Sequence, residues 1–184
     1  ITYRALELDA SPAVIGYIAA LYALLPVLMA LTFGRWVGVI GEGRFVIFGT
    51  LGIIFSSAAL LIANSIAVLA TAASLAGLAH LACMVGGQTM VSLRSESNKY
   101  EENFGYYTFS ASLGQMIGPI LGAVVAGTSG ALPQSTSNAF LIALVFSFIA
   151  LIPVMGWRNH QPTVVAAKSD KGALKSAGSL LRNK

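Results

Sequence analysis

Apolar residues fill this chain in long unbroken stretches, and its polar residues gather into a few short clusters between them. No Asp, Glu, Lys or Arg occurs from residue 10 to 34, from 45 to 93, or from 103 to 157. An α-helix rises about 1.5 Å per residue, so about 20 apolar residues cross a hydrocarbon layer about 30 Å thick. Cut at clusters of Gly, Pro, Asn and Ser, the stretches give five spans: 12–33, 45–63, 66–92, 106–127 and 139–157. A segment 1–11 precedes them and a basic tail 158–184 follows. Asn64 and Ser65 supply a turn and an N-cap inside a run otherwise too long for one crossing. The break after the fourth span holds Gly130, Pro133, Ser135, Thr136, Ser137 and Asn138, a loop composition.

Composition turns this pattern into an environment. The chain is 10% charged and 56% hydrophobic, where soluble domains are about 25% charged, and its mean hydropathy is +0.77. An all-α integral membrane protein follows. Of the eleven Lys and Arg residues only Arg4 falls on one side; Arg35, Arg44, Arg94, Lys99 and the six of the tail fall on the other. The positive-inside rule places those ten in the cytoplasm, the N-terminus outside and the tail inside. Trp36, Trp157, Tyr106 and Tyr107 stand at the headgroup level of that same side. Glu7 and Asp9 precede the first span where a signal peptide would be basic. The chain opens on Ile1, and one further helix before it is expected, giving six spans with both ends cytoplasmic. The lone Cys83 lies mid-span and allows no disulfide framework.

The strongest local signal is in the fourth span. Ser110, Gly114, Gly118, Gly122 and Ala126 recur every four residues and form a small-residue stripe along one helix face, suited to close helix packing. Pro119 interrupts it, removing the N–H that would bond the carbonyl of Gln115, so a kink is expected there.

The run Gly114-Gln115-Met116-Ile117-Gly118-Pro119-Ile120-Leu121-Gly122, entered through Phe104-Gly105-Tyr106-Tyr107, resembles the fifth-helix signature of major facilitator superfamily transporters, particularly the proton-coupled drug antiporters. Between the first two spans, Gly34-Arg35-Trp36-Val37-Gly38-Val39-Ile40-Gly41-Glu42-Gly43-Arg44 is similar to the family's signature loop between helices two and three. Gly34, Arg35, Gly41 and Arg44 carry that likeness. Gly38 stands in place of the family's Asp, Val39 in place of the Arg after it, and Glu42 where a base is usual. In the family this loop forms a cytoplasmic charge network that latches one conformation, and the departures imply a reduced version of it. The resemblance implies helices two to six of a six-helix half, in a bacterial inner membrane. Its partners would be lipid, a small-molecule substrate with H+, the missing first helix and a second six-helix half, with no cofactor.

Polar side chains inside spans are the candidates for a transport pathway. His80 is the one strongly titratable group there, and its neighbours at three and four positions, Ala76, Gly77, Cys83 and Met84, suggest a face turned into the bundle. Interhelical hydrogen bonding is the plainer role for such a residue. Tyr17, Tyr22, Gln88 and Gln115 are the others. The last span, with Phe140, Leu144, Phe146, Phe148, Ile149 and Leu151, is bulky on all sides and is expected to face lipid. The only other histidine, His160, lies in the tail, and no Cys/His/Asp/Glu cluster has metal-ligand spacing, which argues against an enzyme. Gly38, Gly41 and Gly43 follow no strand and so are no dinucleotide loop. Positive charge explained by topology argues against nucleic acid. The function expected is secondary transport, most simply proton-coupled efflux, with an uptake permease of the same fold or a non-transporting fragment as alternatives.

Overall fold

The computed structural model describes residues 1–126, 128–129, 132–133 and 136–157. Six helices run in chain order: α1 (Thr2–Glu7), α2 (Pro12–Ile40), α3 (Glu42–Leu61), α4 (Ile66–Arg94), α5 (Tyr100–Ala126) and α6 (Thr136–Trp157). The last five are each long and apolar enough to cross a membrane. A two-residue antiparallel pairing of Thr128–Ser129 with Leu132–Pro133 sits between α5 and α6. The fold is an all-α membrane bundle, and the basic tail 158–184 lies outside the described residues.

The helices overrun the spans read from hydropathy. At about 1.5 Å per residue, the 29 residues of α2 extend roughly 43 Å, well beyond the hydrocarbon. Ser11 caps α2, accepting from the Val14 N–H at 3.5 Å, and Pro12 takes the first position, where no N–H is needed. The eleven-residue loop expected at 34–44 is absent. Residues 34–40 continue α2, Glu42 begins α3, and Gly41 alone links them. Nothing in 34–40 breaks a helix that has left the lipid, whereas Gly41 adopts φ +93°, which a residue with a β-carbon rarely tolerates. Ser65 caps α4, accepting from the Val68 N–H at 3.4 Å.

The core lies between α3 and α4. Gly49 stands against Cys83 and Ala79, Gly52 against Ala79, and Gly86 against Val46, each with no room for a side chain of its own. Association in lipid depends on such close approach, because no hydrophobic effect draws apolar helices together. Hydroxyls on these helices are turned back onto their own backbones: Thr50 Oγ1 donates to the Val46 carbonyl at 2.9 Å and Ser74 Oγ to Ala70 at 2.8 Å.

α2 crosses α4 at Gly77, and the backbone carbonyl of Tyr22 occupies the space where a Gly77 side chain would project. Pro26, four residues on from Tyr22, is what leaves that carbonyl without its intrahelical N–H. The freed oxygen therefore lies where only a residue without a side chain can stand opposite it. α6 lies against α3 and α5. Its Phe146, Phe148, Ile149 and Ile152 remain exposed, consistent with a lipid-facing surface, while its first residue, Thr136, is buried.

Candidate transport site

The Arg44 end of the bundle holds one buried charge. Glu42, in the first turn of α3, accepts from Arg94 Nε at 3.1 Å and Nη2 at 2.9 Å, both on a single carboxylate oxygen. The side chains are 7% and 27% exposed respectively, so the pair is desolvated mainly on the acid's side. Each charge also suits its helix end, an anion at the α3 N-terminus and a cation at the α4 C-terminus. Arg35 and Arg44 are exposed instead. Among the described residues the charge network implied by the loop's resemblance thus comes down to one cross-helix pair here. Its acid is the residue that stands where a base is usual.

The candidate pathway residues are exposed rather than enclosed. Tyr17 is 71% and Tyr22 37% exposed on α2, and His80, Gln88 and Gln115 are exposed on α4 and α5. For His80 this corrects the expectation that its small neighbours turn it into the bundle. Those neighbours face elsewhere: Gly77 meets α2 and Cys83 meets α3, and at about 100° per residue His80 points between the two directions. The same face carries Gly87 two turns on, where the Tyr107 ring of α5 lies within 3.0 Å of where a β-carbon would be. Tyr107 Oη donates to the Met84 carbonyl there at 3.3 Å. At Gly87 this face of α4 is covered; at His80 it is open. Among the described residues no hydrogen bond joins any two of the five candidates; the Tyr22 backbone carbonyl meets Gly77, one turn from His80.

The stripe on α5 has no close partner among the described residues. A β-carbon added at Gly114, Gly118 or Gly122 would meet nothing within 4 Å. No described helix packs on this face. The stripe instead forms one wall of a cleft of roughly 590 Å³ between α5 and α6, with Ser110, Gly114, Gly118 and Gly122 opposite Ala139, Ala143 and Phe146. Pro119 lies within α5, which continues through it. Among the described residues α5 is held by Tyr107 near one end and by α6, and no residue of its apolar stretch is buried.

The sequence model of the Major Facilitator Superfamily matches residues 1–184. The chain belongs to this superfamily. It is also similar to Multidrug resistance protein 1 of Bacillus subtilis (strain 168), at 26% identity over 146 residues, covering 79% of this chain and 38% of that protein. The match thus spans well under half of that relative's length. As a superfamily member, the chain supplies membrane-crossing helices with open polar and small-residue faces around a tightly packed α3–α4 core.

Sequence reasoning missed three features of this member. Arg94 was visible only as a basic residue at a helix end. Tyr107 was read as a headgroup anchor, yet its hydroxyl reaches α4. The third is α1, whose Arg4 and Glu7 fall three residues apart, the spacing of helical neighbours.

Proposed function

We propose that this chain forms helices two to six of the N-terminal half of a secondary transporter that exports small molecules in exchange for protons by alternating access. The observation that carries this reading is the unequal finish of the bundle. α3 and α4 are locked by glycine contacts, whereas the Gly114–Gly118–Gly122 face and the His80 face are left open. A complete, self-sufficient bundle would cover such faces; a half-transporter leaves them for a preceding helix, for the second half and for substrate. The α5–α6 cleft has the small-residue lining that lets a helix approach closely, and the preceding first helix would be its occupant. Pro119 provides the bend about which α5 rocks.

In this reading the Arg44 end faces the cytoplasm, since Arg35, Arg44, Arg94 and Lys99 all fall there. Glu42 and Arg94 fasten α3 to α4 on that side. His80, exposed on α4, would be the group that exchanges a proton during the cycle. Similarity to a multidrug resistance protein supports efflux as the direction.

The test is reconstitution of the complete coding product in vesicles with an imposed pH gradient, following a fluorescent cationic dye. Dye movement should be gradient-driven and abolished by a protonophore, and His80→Ala should uncouple it. Transport that ignores the pH gradient removes the proton; gradient-driven transport unchanged in His80→Ala removes His80. Cysteine labelling of position 35 or 99 from the outside of intact cells would reverse the orientation.

A further inference from the structure

The end of the bundle opposite Glu42 and Arg94 carries a second charge constellation with no place in the reading above. Arg4 of α1 donates from Nε at 3.1 Å and Nη2 at 2.8 Å to the carbonyl of Ala63, just past the C-terminus of α3. Its Nη1 donates to Glu7 Oε2 at 2.7 Å. Glu7 in turn accepts from Thr136 at the start of α6: Oγ1 at 2.9 and 2.8 Å, and the backbone N–H at 3.3 Å. Ala5, Ala10 and Ala63 are buried beneath, in one cluster with Leu60 and Leu69.

We propose that α1 is a charge-matched strap that fastens the end of α3 to the beginning of α6. A cation meets the carbonyl end of one helix and an anion meets the N–H end of the other, so both ends of the strap are matched to the helix dipoles they touch. Nothing nearby competes. Residues 45–93 and 136–157 contain no Asp, Glu, Lys or Arg, which leaves Arg4, Glu7 and Asp9 as the charged side chains at this end among the described residues. The strap makes α3, α6 and α1 one body at this end, whatever the bundle transports.

The pH behaviour follows from the same geometry. Partial burial pushes the Glu7 carboxyl up, but the hydrogen bonds from Arg4 and Thr136 together outweigh it and hold the group below the usual carboxylate range. A depressed folded-state value means that the contribution is complete above the unfolded value, about 4.3, and is lost as pH falls through the folded one.

Hydrogen exchange of the full chain in lipid nanodiscs tests the strap. Glu7→Gln should raise exchange in the first turn of α6 by about tenfold, the loss expected for a hydrogen bond to a charged acceptor. The charge-swapped pair Arg4→Glu with Glu7→Arg keeps an ion pair but opposes both helix ends, and should exchange faster than Glu7→Gln. Protection of that turn in the unmodified chain should fall on acidification, and be flat in Glu7→Gln. Unchanged protection in Glu7→Gln, a swap that restores protection, or a flat acid profile in the unmodified chain would each overturn the proposal. Should the swapped chain not fold, as judged by exchange within α4, Glu7→Gln and the acid profile still decide.

Discussion

The two halves of this bundle use glycine in opposite ways. In α3 and α4, Gly49, Gly77 and Gly86 are irregularly spaced; the first two meet a neighbouring backbone, and Gly86 the Val46 side chain, closer than a side chain of their own would permit. In α5, Gly114, Gly118 and Gly122 are spaced with complete regularity and touch nothing. Regular spacing marks a helix face able to accept a straight neighbour along its length. Actual contact depends on where two helices cross, and tilted helices cross at one or two points. The α3–α4 pair is therefore a finished interface, and α5 displays one that is available.

This contrast can be broken most severely at the charge that closes the finished side. Arg94→Ala leaves Glu42 buried and unpaired. A cost of about 2–4 kcal/mol is expected, somewhat below a fully buried pair because Arg94 is partly exposed, and read as a lowered unfolding midpoint in detergent. Next is Gly77→Ala. Its methyl would fall on the Tyr22 carbonyl, backbone that cannot swing aside, so α2 and α4 must part, at a cost of about 1–3 kcal/mol. Loss of α2–α4 cross-linking efficiency would accompany it. The smallest effect sharpens the comparison: Gly118→Ala should change the stability of this chain by under about 0.5 kcal/mol, because the position is open. In the complete transporter the same substitution should impair transport. Equal destabilisation by Gly77→Ala and Gly118→Ala in this chain would erase the distinction between the two regions.

The helices were legible in the sequence because lipid excludes charge so strictly that residues 45–93 and 103–157 announce themselves. Helix ends were not. Residues 34–40 leave the hydrocarbon without leaving the helix, and hydropathy reports only the first of these events. His80 shows a further limit: small neighbours identify a face that packs, but those at three and four positions lie on either side of a residue, so they did not say where His80 itself points. The stripe on α5 was read as a packing face, and no described helix fills it; one sequence segment cannot say which of its surfaces is satisfied locally. The Glu42–Arg94 pair escaped because its residues lie 52 positions apart. Their meeting depends on how α3 and α4 cross.

The proline in α2 has a counterpart in α5. Just as Pro26 strips the Tyr22 oxygen of its donor, Pro119 strips that of Gln115. In the first case the orphan is sheltered by an α-carbon bearing no side chain. In the second, the orphan lies on a helix with no buried residue, and a bilayer offers it no water. Any segment that comes to rest there is thereby selected: it must bring a hydroxyl or amide donor, or a glycine of its own, and a branched aliphatic side chain at that level would be turned away.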